Sequence, residues 1–204
     1  LAIAREKAPQ TPYIFVTGAM GEERAVESIR LGATDYLLKD RLARLPDAVQ
    51  RAMAEKTQRT QFREVEDHYH QLFENLSSGV MIFQPDASGE VFVIKAANRA
   101  VERIEQLRRA DLIGRNVEDV FPNLRAFGLL DVLRRVWISG ETEHFPPALY
   151  VDSRISGWRE SYVYRFGSNE VVAVYEDVSE RLEHETQIKW LNRILRTISA
   201  CNED

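Results

Sequence analysis

The first forty residues contain two short apolar runs separated by a segment with helical periodicity. The runs cover 13–17 and 35–38, and neither alternates apolar with polar positions. Such runs are typical of strands in a parallel sheet that is covered on both faces. Between them, Ala25, Val26 and Ile29 lie at helical spacing. The pattern therefore predicts a buried strand, a helix and a second buried strand, joined by a right-handed crossover.

Residues 40 to about 76 are predicted to be mainly helical, and Pro46 falls where the first turn of a helix tolerates proline. A stripe of apolar residues follows a three–four spacing along the second half of this segment: Phe62, Val65, Tyr69, Leu72 and Leu76. This spacing is that of a coiled-coil seam a little more than two heptads long. It also suits a helix that packs one face on its own domain, so the sequence leaves both arrangements open.

From Gly79 onward the pattern changes to short strands separated by turns. The predicted strands are 79–83, 90–96, 143–151, 158–166 and 170–175. The predicted helices are 97–110, 123–138 and a last one from about 177 towards 198. The first two strands form a hairpin, and helices are inserted after the second strand. This order predicts an antiparallel sheet in an α+β domain.

The composition is that of a globular protein and excludes several functions. Hydrophobic residues make up 44% and charged residues 29% of the 204 residues, enough for one large domain or two small ones. The formal net charge of -5 argues against a nucleic-acid-binding surface. Cys201 is the only cysteine, which excludes an internal disulfide and a thiolate metal cluster. No apolar run approaches the roughly 20 residues that cross a bilayer, and we expect a cytoplasmic chain.

Residues 1–56 resemble the second half of a response-regulator receiver domain. The residues that carry the resemblance are Val16-Thr17-Gly18, the predicted helix, Gly32-Ala33 and Asp35-Tyr36-Leu37-Leu38-Lys39. The resemblance implies that Thr17 and Lys39 contact the oxygens of a phosphoryl group, through a donated hydrogen bond and a compact positive charge. It also implies that Tyr36 is the aromatic residue that changes rotamer on activation.

The phosphoacceptor aspartate of that family would lie upstream of Leu1, as would its magnesium-binding acidic pair. We therefore expect that the sequence starts inside the domain and that this chain accepts no phosphate by the family's mechanism. Thr17 and Lys39 are then a remnant of a phosphoryl site. Asp40 stands where the family usually has a proline. Two strands leave a sheet edge open, so we predict that a partner copy covers this half-domain or that it is poorly ordered.

Residues 64–182 resemble a PAS sensor domain. The segments that carry the resemblance, in order, are 70–76, 79–82, 97–103, 111–117, 120–122, 158–161 and 171–181. The resemblance implies a PAS fold in which Asn98 caps the helix after the second strand. It also implies a signal junction at which Asp177 caps the exit helix and binds a basic side chain such as Arg181. The predicted organisation is a partial receiver, a connecting helix, a PAS domain and an exit signalling helix, at 1–56, 57–76, 77–178 and 179–204.

A PAS domain often holds a small ligand between its sheet and its helices. The candidates for the pocket wall are alternating apolar residues, which would equally fill an ordinary core: Val80, Ile82, Val91, Val93, Val163 and Val172. Cys201 lies far from the helical segment in which flavin-binding members carry their cysteine. The histidines that fail to match a haem ligand are His68, His70, His144 and His184. We therefore expect no flavin, haem or metal, and the identity of a small ligand stays open.

Together the resemblances imply a non-catalytic sensory and relay segment of a two-component signalling protein, such as a hybrid histidine kinase. The signal would pass between the helices that enter and leave a PAS homodimer. The alternative is a ligand-binding module that controls partner binding. The sequence shows no nucleophile–base pair and no glycine-rich ATP motif, so we expect no enzymatic activity in this chain. The exit helix either connects to a further domain or packs on the PAS sheet, for which Trp190 is suited.

Overall fold

The computed structural model describes residues 2–18, 26 and 29–201. The chain divides into two compact units, Leu1–His70 and Gln71–Asp204. The elements of the first unit are helix α1 (Ala2–Lys7), strands β1 (Ile14–Thr17) and β2 (Asp35–Leu38), a 3-10 segment (Lys39–Arg44) and most of helix α2 (Leu45–Asn75). The two strands pair in parallel, with Ile14 opposite Asp35 and Thr17 opposite Leu38. The predicted parallel unit is therefore present.

Most of the helix predicted between these strands lies outside the described residues, although Val26, Ile29 and Arg30 are helical. The two strands are less buried than predicted, since Leu37 is the buried residue among their described positions and Val16 is 39% exposed. A pair of strands cannot cover its own faces, because burial on both sides requires neighbouring strands and helices. The exposure of Val16 is what this requirement leads to in a two-stranded sheet.

Helix α2 is 31 residues long, and Pro46 lies in its first turn as predicted. Its three–four apolar stripe is exposed in the single chain: Phe62 64%, Val65 52%, Tyr69 68% and Leu72 52%. The same chain therefore does not bury this face. Of the two arrangements that the spacing allows, packing on its own domain is not the one observed.

The second unit is an antiparallel sheet of five strands. Its strands are β3 (Gly79–Pro85), β4 (Phe92–Ala97), β5 (Glu143–Val151), β6 (Ser156–Phe166) and β7 (Glu170–Asp177). Their order across the sheet is β4-β3-β7-β6-β5. Between β4 and β5 lie α3 (Arg99–Glu105), a 3-10 turn (Arg109–Asp111), α4 (Val117–Val120), α5 (Leu124–Phe127) and α6 (Leu129–Ser139). Helix α7 (Ser179–Cys201) follows β7 directly. The predicted α+β class and the inserted helices are confirmed.

The core of this unit lies between one face of the sheet and the inserted helices. Its most completely buried side chains are Phe83, Phe92, Ile94, Leu112, Leu130, Leu133, Val163 and Val171. The long helix predicted at 123–138 is instead two helices, because Gly128 adopts φ 94° and ends α5. Only a residue that accepts a left-handed conformation allows α6 to start there in a new direction. The short helices thus form a compact layer over the sheet.

Helix α7 exposes nearly all of its described side chains. Ile188 is 58%, Trp190 62%, Leu191 51% and Leu195 59% exposed. The chain therefore does not pack Trp190 on the sheet, which was one of the two arrangements expected for the exit helix. The exposed apolar side chains repeat at three- and four-residue intervals, as they do in α2.

Candidate functional site

The first unit brings Thr17 and Lys39 to the same edge of its sheet. Thr17 pairs with Leu38, so Lys39 immediately follows the residue opposite Thr17. The Lys39 stem passes beside Gly18, because a Cβ added at Gly18 would lie 3.7 Å from Lys39 Cδ. Tyr36 is half-buried, and its amide donates a 2.7 Å hydrogen bond to its neighbour Asp35. Among the described residues, no cluster of His, Cys, Asp or Glu is suited to hold a metal ion.

The second unit has a cavity of about 40 Å³ between its sheet and its helices. Aromatic and aliphatic side chains form most of its wall: Met81, Phe83, Val117, Phe121, Leu124, Phe127, Leu129, Tyr150, Ala173 and Tyr175. Three polar side chains complete the lining, namely Glu105, Arg159 and Ser161. The surface of the cavity is almost entirely apolar, so the polar atoms of these three residues are covered; we call this covered cluster the polar end of the site.

None of the six residues predicted to form the pocket wall lines this cavity. Met81 and Phe83 face the cavity, so Val80 and Ile82 point to the opposite face of β3. The same applies to Val172, which lies between the inward-facing Val171 and Ala173. Val93 alternates with the buried Phe92 and Ile94, Val91 precedes β4, and Val163 lies in the core away from the cavity. Both faces of these strands carry apolar residues, so the sequence pattern alone does not show which face points towards the helices.

Arg159 is the central residue of the polar end. Its side chain is 5% exposed and lies on the inner face of β6, together with Gly157 and Ser161. Its Nε lies 3.5 Å from Oε1 of Glu105, and its Nη1 lies 2.8 Å from Oδ2 of Asp177. A buried guanidinium needs compensating charge and hydrogen bonds. Arg159 thus joins a carboxylate at the cavity to a carboxylate at the end of β7.

Two glycines make room for the polar end. A Cβ at Gly157 would collide with the Arg159 guanidinium, and it would lie 3.2 Å from Cζ. A Cβ at Gly79 would lie 2.7 Å from the Tyr175 ring. Glycine within a strand often marks such a close approach. Because neither glycine has a Cβ, the side chains of Arg159 and Tyr175 can lie flat against neighbouring strands.

Burial sets the electrostatics of this cluster. It raises the pKa of Glu105, and the nearby Arg159 opposes that rise without cancelling it. Burial also raises the pKa of Tyr175 well above its ordinary value, and the Glu105 charge adds to the effect. Burial alone would also raise the pKa of Asp177. There the hydrogen bonds from Ser179 and the charge of Arg159 outweigh burial, so the pKa of Asp177 is lowered.

Four hydrogen bonds hold the junction between β7 and α7, and two of them tie it to Trp158 of β6. Asp177 Oδ1 accepts from the Ser179 amide at 3.0 Å, and Ser179 Oγ accepts from the Trp158 amide at 2.8 Å. The Val178 amide donates to the Trp158 carbonyl at 2.9 Å, and the Leu182 amide donates to the Val178 carbonyl at 3.0 Å. The last of these bonds closes the first turn of α7, so the start of the helix depends on Asp177 and β6.

The expected pairing of Asp177 with Arg181 is absent, and both residues have other partners. Asp177 pairs with Arg159 on the inner face of β6. Arg181 Nη2 lies 2.5 Å from Oε2 of Glu160, whose Oε1 lies 2.9 Å from Nε2 of His144. Residues 159 and 160 point to opposite faces of β6, so the two ion pairs lie on opposite sides of the sheet. Asp177 thus binds a basic side chain as expected, but that side chain is Arg159 and not Arg181.

Asn98 caps α3 as predicted and also makes three further bonds. The side chain is fully buried, and its Oδ1 accepts from the Val101 amide at 3.3 Å and from the Val80 amide at 3.0 Å. Its Nδ2 donates to the carbonyls of Phe73 and Ser78, each at 3.0 Å. One amide therefore holds the end of α2, the following loop, β3 and α3 together.

The turn between β5 and β6 contacts two aromatic residues of the cavity wall. Asp152 accepts a 3.1 Å hydrogen bond from the Tyr150 hydroxyl and pairs with Arg154 at 2.6 Å. The Arg154 guanidinium lies 5.6 Å from the centre of the Phe121 ring and donates to the Val120 carbonyl. Since Tyr150 and Phe121 line the cavity, this ion pair fixes two of its aromatic walls.

Sequence reasoning missed Glu105, Arg159 and Tyr175 as site residues. A signal was present in β6, where Gly157, Arg159 and Ser161 lie on the face whose other position is the buried Val163. Glycine, arginine and serine are unusual on the core-facing side of a strand. Glycine leaves open space in the core, and arginine and serine bring in polar atoms that need hydrogen-bond partners. The partner Glu105 ends a helix over thirty residues away in sequence, and only the fold brings it near Arg159.

Comparisons with known proteins find similar folds at low sequence identity. A domain of a sensory box sensor histidine kinase/response regulator from Geobacter sulfurreducens is 16% identical, with a TM-score of 0.44; the match covers 55% of this chain and 93% of that one. The PAS domain of nitrogen regulation protein NR(II) from Vibrio parahaemolyticus is 14% identical, with a TM-score of 0.42 and coverages of 53% and 95%. An RNA-binding light-oxygen-voltage receptor is 18% identical, with a TM-score of 0.47 and coverages of 65% and 38%. No family model and no curated protein matches the chain.

The sheet of the second unit has five antiparallel strands, with its helices between the second and third of them. It has the fold of a PAS domain. In this fold the cavity lies next to the buried cluster around Arg159, and that cluster lies next to the start of α7. Within the part of the chain that the structure describes, none of the helices combines the length and apolarity that a bilayer-crossing segment needs.

Proposed function

We propose that this chain is a non-catalytic sensory and relay segment of a two-component signalling protein. Its PAS domain would pass the state of the cavity to α7 through Arg159. The observation that carries this proposal is the position of the Arg159 guanidinium, which pairs with Glu105 at the cavity and with Asp177 at the helix start. A change in the charge of Glu105 changes the strength of the ion pair between Arg159 and Asp177. Asp177 in turn accepts a hydrogen bond from the Ser179 amide, which is the first amide of α7.

The flanking helices supply the route out of the domain. Helices α2 and α7 both expose apolar stripes, on which Phe62, Tyr69 and Trp190 are more than 60% exposed. A second copy of the chain would bury these stripes in a helical homodimer, and a shift in packing there would carry the signal onward. We place Thr17, Lys39 and Tyr36 in a receiver remnant of a cytoplasmic parent protein, which is a sensor histidine kinase in this proposal.

A ligand-binding module that regulates partner binding is the second candidate function. The cavity favours it, because it is an apolar space between the sheet and the helices, lined by Met81, Phe83 and Tyr150 among others. Ligand sites in proteins are typically concave and mostly apolar. The two functions differ in output, since the first acts on α7 and the second on a partner surface.

Amide hydrogen exchange tests the proposed relay without any ligand. Glu105→Gln changes the cavity end of the cluster and leaves Asp177 and α7 untouched. We expect the Leu182 amide, which closes the first turn of α7, to exchange several times faster or slower than in the unmodified chain. Glu118→Gln is the matched control, because Glu118 pairs with Arg125 elsewhere on the surface. Unchanged exchange at Leu182 in Glu105→Gln would contradict the relay.

A further inference from the structure

The charges of the buried cluster around Arg159 do not balance. Its guanidinium lies between two carboxylates, with Nε 3.5 Å from Oε1 of Glu105 and Nη1 2.8 Å from Oδ2 of Asp177. When both carboxylates are ionised, the cluster carries one excess negative charge. Such charge is costly in a buried place, and carboxyl groups that share one site lower this cost when one of them takes up a proton.

Burial and distance indicate which of the two carboxyl groups takes the proton. The Glu105 side chain is 6% exposed, whereas the Asp177 side chain is 42% exposed, so water stabilises the Asp177 charge better. Asp177 is also closer to Arg159, and it accepts a hydrogen bond from the Ser179 amide. Glu105 is therefore the carboxyl whose negative charge is less well compensated.

The position of Glu105 on α3 also favours its neutral form. Glu105 is the last residue of α3, where the backbone carbonyls carry partial negative charge that repels a carboxylate. One of these carbonyls, that of Ile104, accepts a hydrogen bond from Arg159 at 3.3 Å. Part of the guanidinium is therefore used by the helix end, and less of it is left for Glu105.

The other charged groups near Glu105 have partners of their own. Arg154, in the turn between β5 and β6, attracts a negative Glu105 but already pairs with Asp152. On α3 itself, the Glu102 carboxylate accepts from the Arg109 amide, and the Arg103 guanidinium donates to the Ser77 carbonyl. These groups therefore leave the excess negative charge of the cluster largely in place.

The remaining neighbours of Glu105 are neutral. Burial raises the pKa of the Tyr175 hydroxyl on β7 and of the Tyr150 hydroxyl on β5, so both keep their protons at neutral pH. The helices over the cavity contribute apolar side chains: Val117, Phe121, Leu124 and Phe127. Consistent with this environment, burial raises the pKa of Glu105.

We propose that Glu105 is a proton-binding site that controls how tightly the start of α7 is held. With the proton bound, Arg159 pairs with Asp177 alone, and the first turn of α7 is stabilised. When Glu105 releases its proton to solvent, two carboxylates share the guanidinium, and its pair with Asp177 weakens. No other bond forms or breaks. This inference rests on the proposed relay and names a change in pH as a signal that the relay would carry.

The first measurement follows the proton itself. The carboxyl carbon signal of Glu105 is recorded by NMR in the full chain labelled at glutamate, and it is identified as the signal that Glu105→Gln lacks. It should change at a pH above about 4.3, the ordinary pKa of a glutamate. Asp177→Asn should move this change to lower pH, because the guanidinium of Arg159 is then left to Glu105 alone.

The second measurement follows α7. Hydrogen exchange of the Leu182 amide, divided by its intrinsic rate at each pH, is compared in the unmodified chain and in Glu105→Gln between about pH 4 and 8. The glutamine is neutral at every pH and represents the protonated state. The two proteins should agree at the low end of the range. Above the titration of Glu105, Leu182 should exchange roughly fivefold faster in the unmodified chain.

His144→Gln is the matched control. His144 lies on the opposite face of the sheet, where its Nε2 is 2.9 Å from the carboxylate of Glu160, which also pairs with Arg181 of α7. Histidine side chains change charge near neutral pH, so these contacts are a second route from pH to the helix start. The pH response of Leu182 should persist in His144→Gln and be absent in Glu105→Gln.

Two results would overturn the proton site and leave the relay standing. One is a Glu105 signal that changes at or below about pH 4.3. The other is a pH response of Leu182 that survives in Glu105→Gln and is lost in His144→Gln. A third result would overturn the relay as well: Glu105 titrates as expected, but Leu182 exchanges equally in Glu105→Gln and the unmodified chain at every pH. The two failures are therefore distinguishable.

Discussion

The guanidinium of Arg159 lies 2.8 Å from the carboxylate of Asp177 and is itself almost completely buried. The same guanidinium also pairs with Glu105 and donates a hydrogen bond to the Ile104 carbonyl at 3.3 Å. Removal of one partner from a buried pair typically costs about 3–5 kcal/mol, because the other charge is left uncompensated. The start of α7 is thus coupled electrostatically to the cavity.

The fit of Arg159 over Gly157 predicts that a single methyl group disturbs the relay. Gly157→Ala places a Cβ against the guanidinium and forces it away from Asp177. We expect a loss of stability of about 1–3 kcal/mol, as is usual for overpacking, and faster exchange at the Leu182 amide. Urea unfolding and hydrogen exchange measure the two effects.

Gly18→Ala is the control for this substitution. Its added Cβ would be in ordinary contact with the Lys39 stem at 3.7 Å. A Gly157→Ala protein that matches the unmodified chain in both measurements would show that the guanidinium has room to move.

Replacement of Asn98 should cost more than the loss of an ordinary helix cap. Asn98→Ala leaves two amides and two carbonyls without their partner in a buried place. Since each unsatisfied buried group costs about 1–3 kcal/mol before water relieves some of it, we expect a loss of about 3 kcal/mol in urea unfolding. Asn116→Ala removes a single cap bond to the Glu118 amide and should cost only about 1 kcal/mol. Equal losses in the two variants would mean that Asn98 is only a cap.

The raised pKa of Glu105 predicts a specific pH dependence. A carboxyl whose pKa is higher in the folded than in the unfolded state stabilises the fold fully below its unfolded pKa, and this contribution is lost as the pH rises through the folded pKa. The unmodified chain should therefore lose stability relative to Glu105→Gln as the pH rises from about 4. The loss is about 1.4 kcal/mol for each unit by which burial raises the pKa.

Glu143→Gln provides a comparison of opposite sign. The hydrogen bond from Arg135 lowers the pKa of Glu143, so its stabilising contribution is lost as the pH falls. Urea unfolding of all three proteins between pH 4 and 8 gives both differences. A difference between the unmodified chain and Glu105→Gln that stays constant or grows in the opposite direction would contradict the raised pKa of Glu105.

The exposed stripe on α2 predicts self-association. Phe62→Ser together with Val65→Ser removes two large apolar side chains that the single chain leaves exposed. Burial of each should contribute about 1.5–3 kcal/mol to an interface, so the dissociation constant of the dimer should rise at least tenfold. Sedimentation equilibrium measures it. Ile138→Ser is the control, since Ile138 is 81% exposed on α6 and belongs to neither apolar stripe. A monomeric unmodified chain at all concentrations would exclude the helical dimer.

The sequence predicted the class of the fold well, because strand periodicity and turn residues are local signals. The hairpin of β3 and β4 and the cap at Asn98 are set by residues close to one another in the chain. The cavity wall was not predictable in this way, because Gly79–Pro85 is apolar on both faces and its orientation depends on the other strands. The ion pairs of Arg159 could not be predicted from the sequence for a related reason. Its partners Glu105 and Asp177 belong to separate elements, which only the folded chain brings together.

A double-mutant cycle between Glu105 and Asp177 tests the relay most directly. These residues are joined through Arg159, so Glu105→Gln and Asp177→Asn each leave the guanidinium one carboxylate, and the double variant leaves it neither. The measurement is the opening free energy of the Leu182 amide by native-state hydrogen exchange in all four proteins. The account predicts a coupling of about 1 kcal/mol, well beyond the 0.3–0.5 kcal/mol within which independent sites add. Additive effects would contradict it.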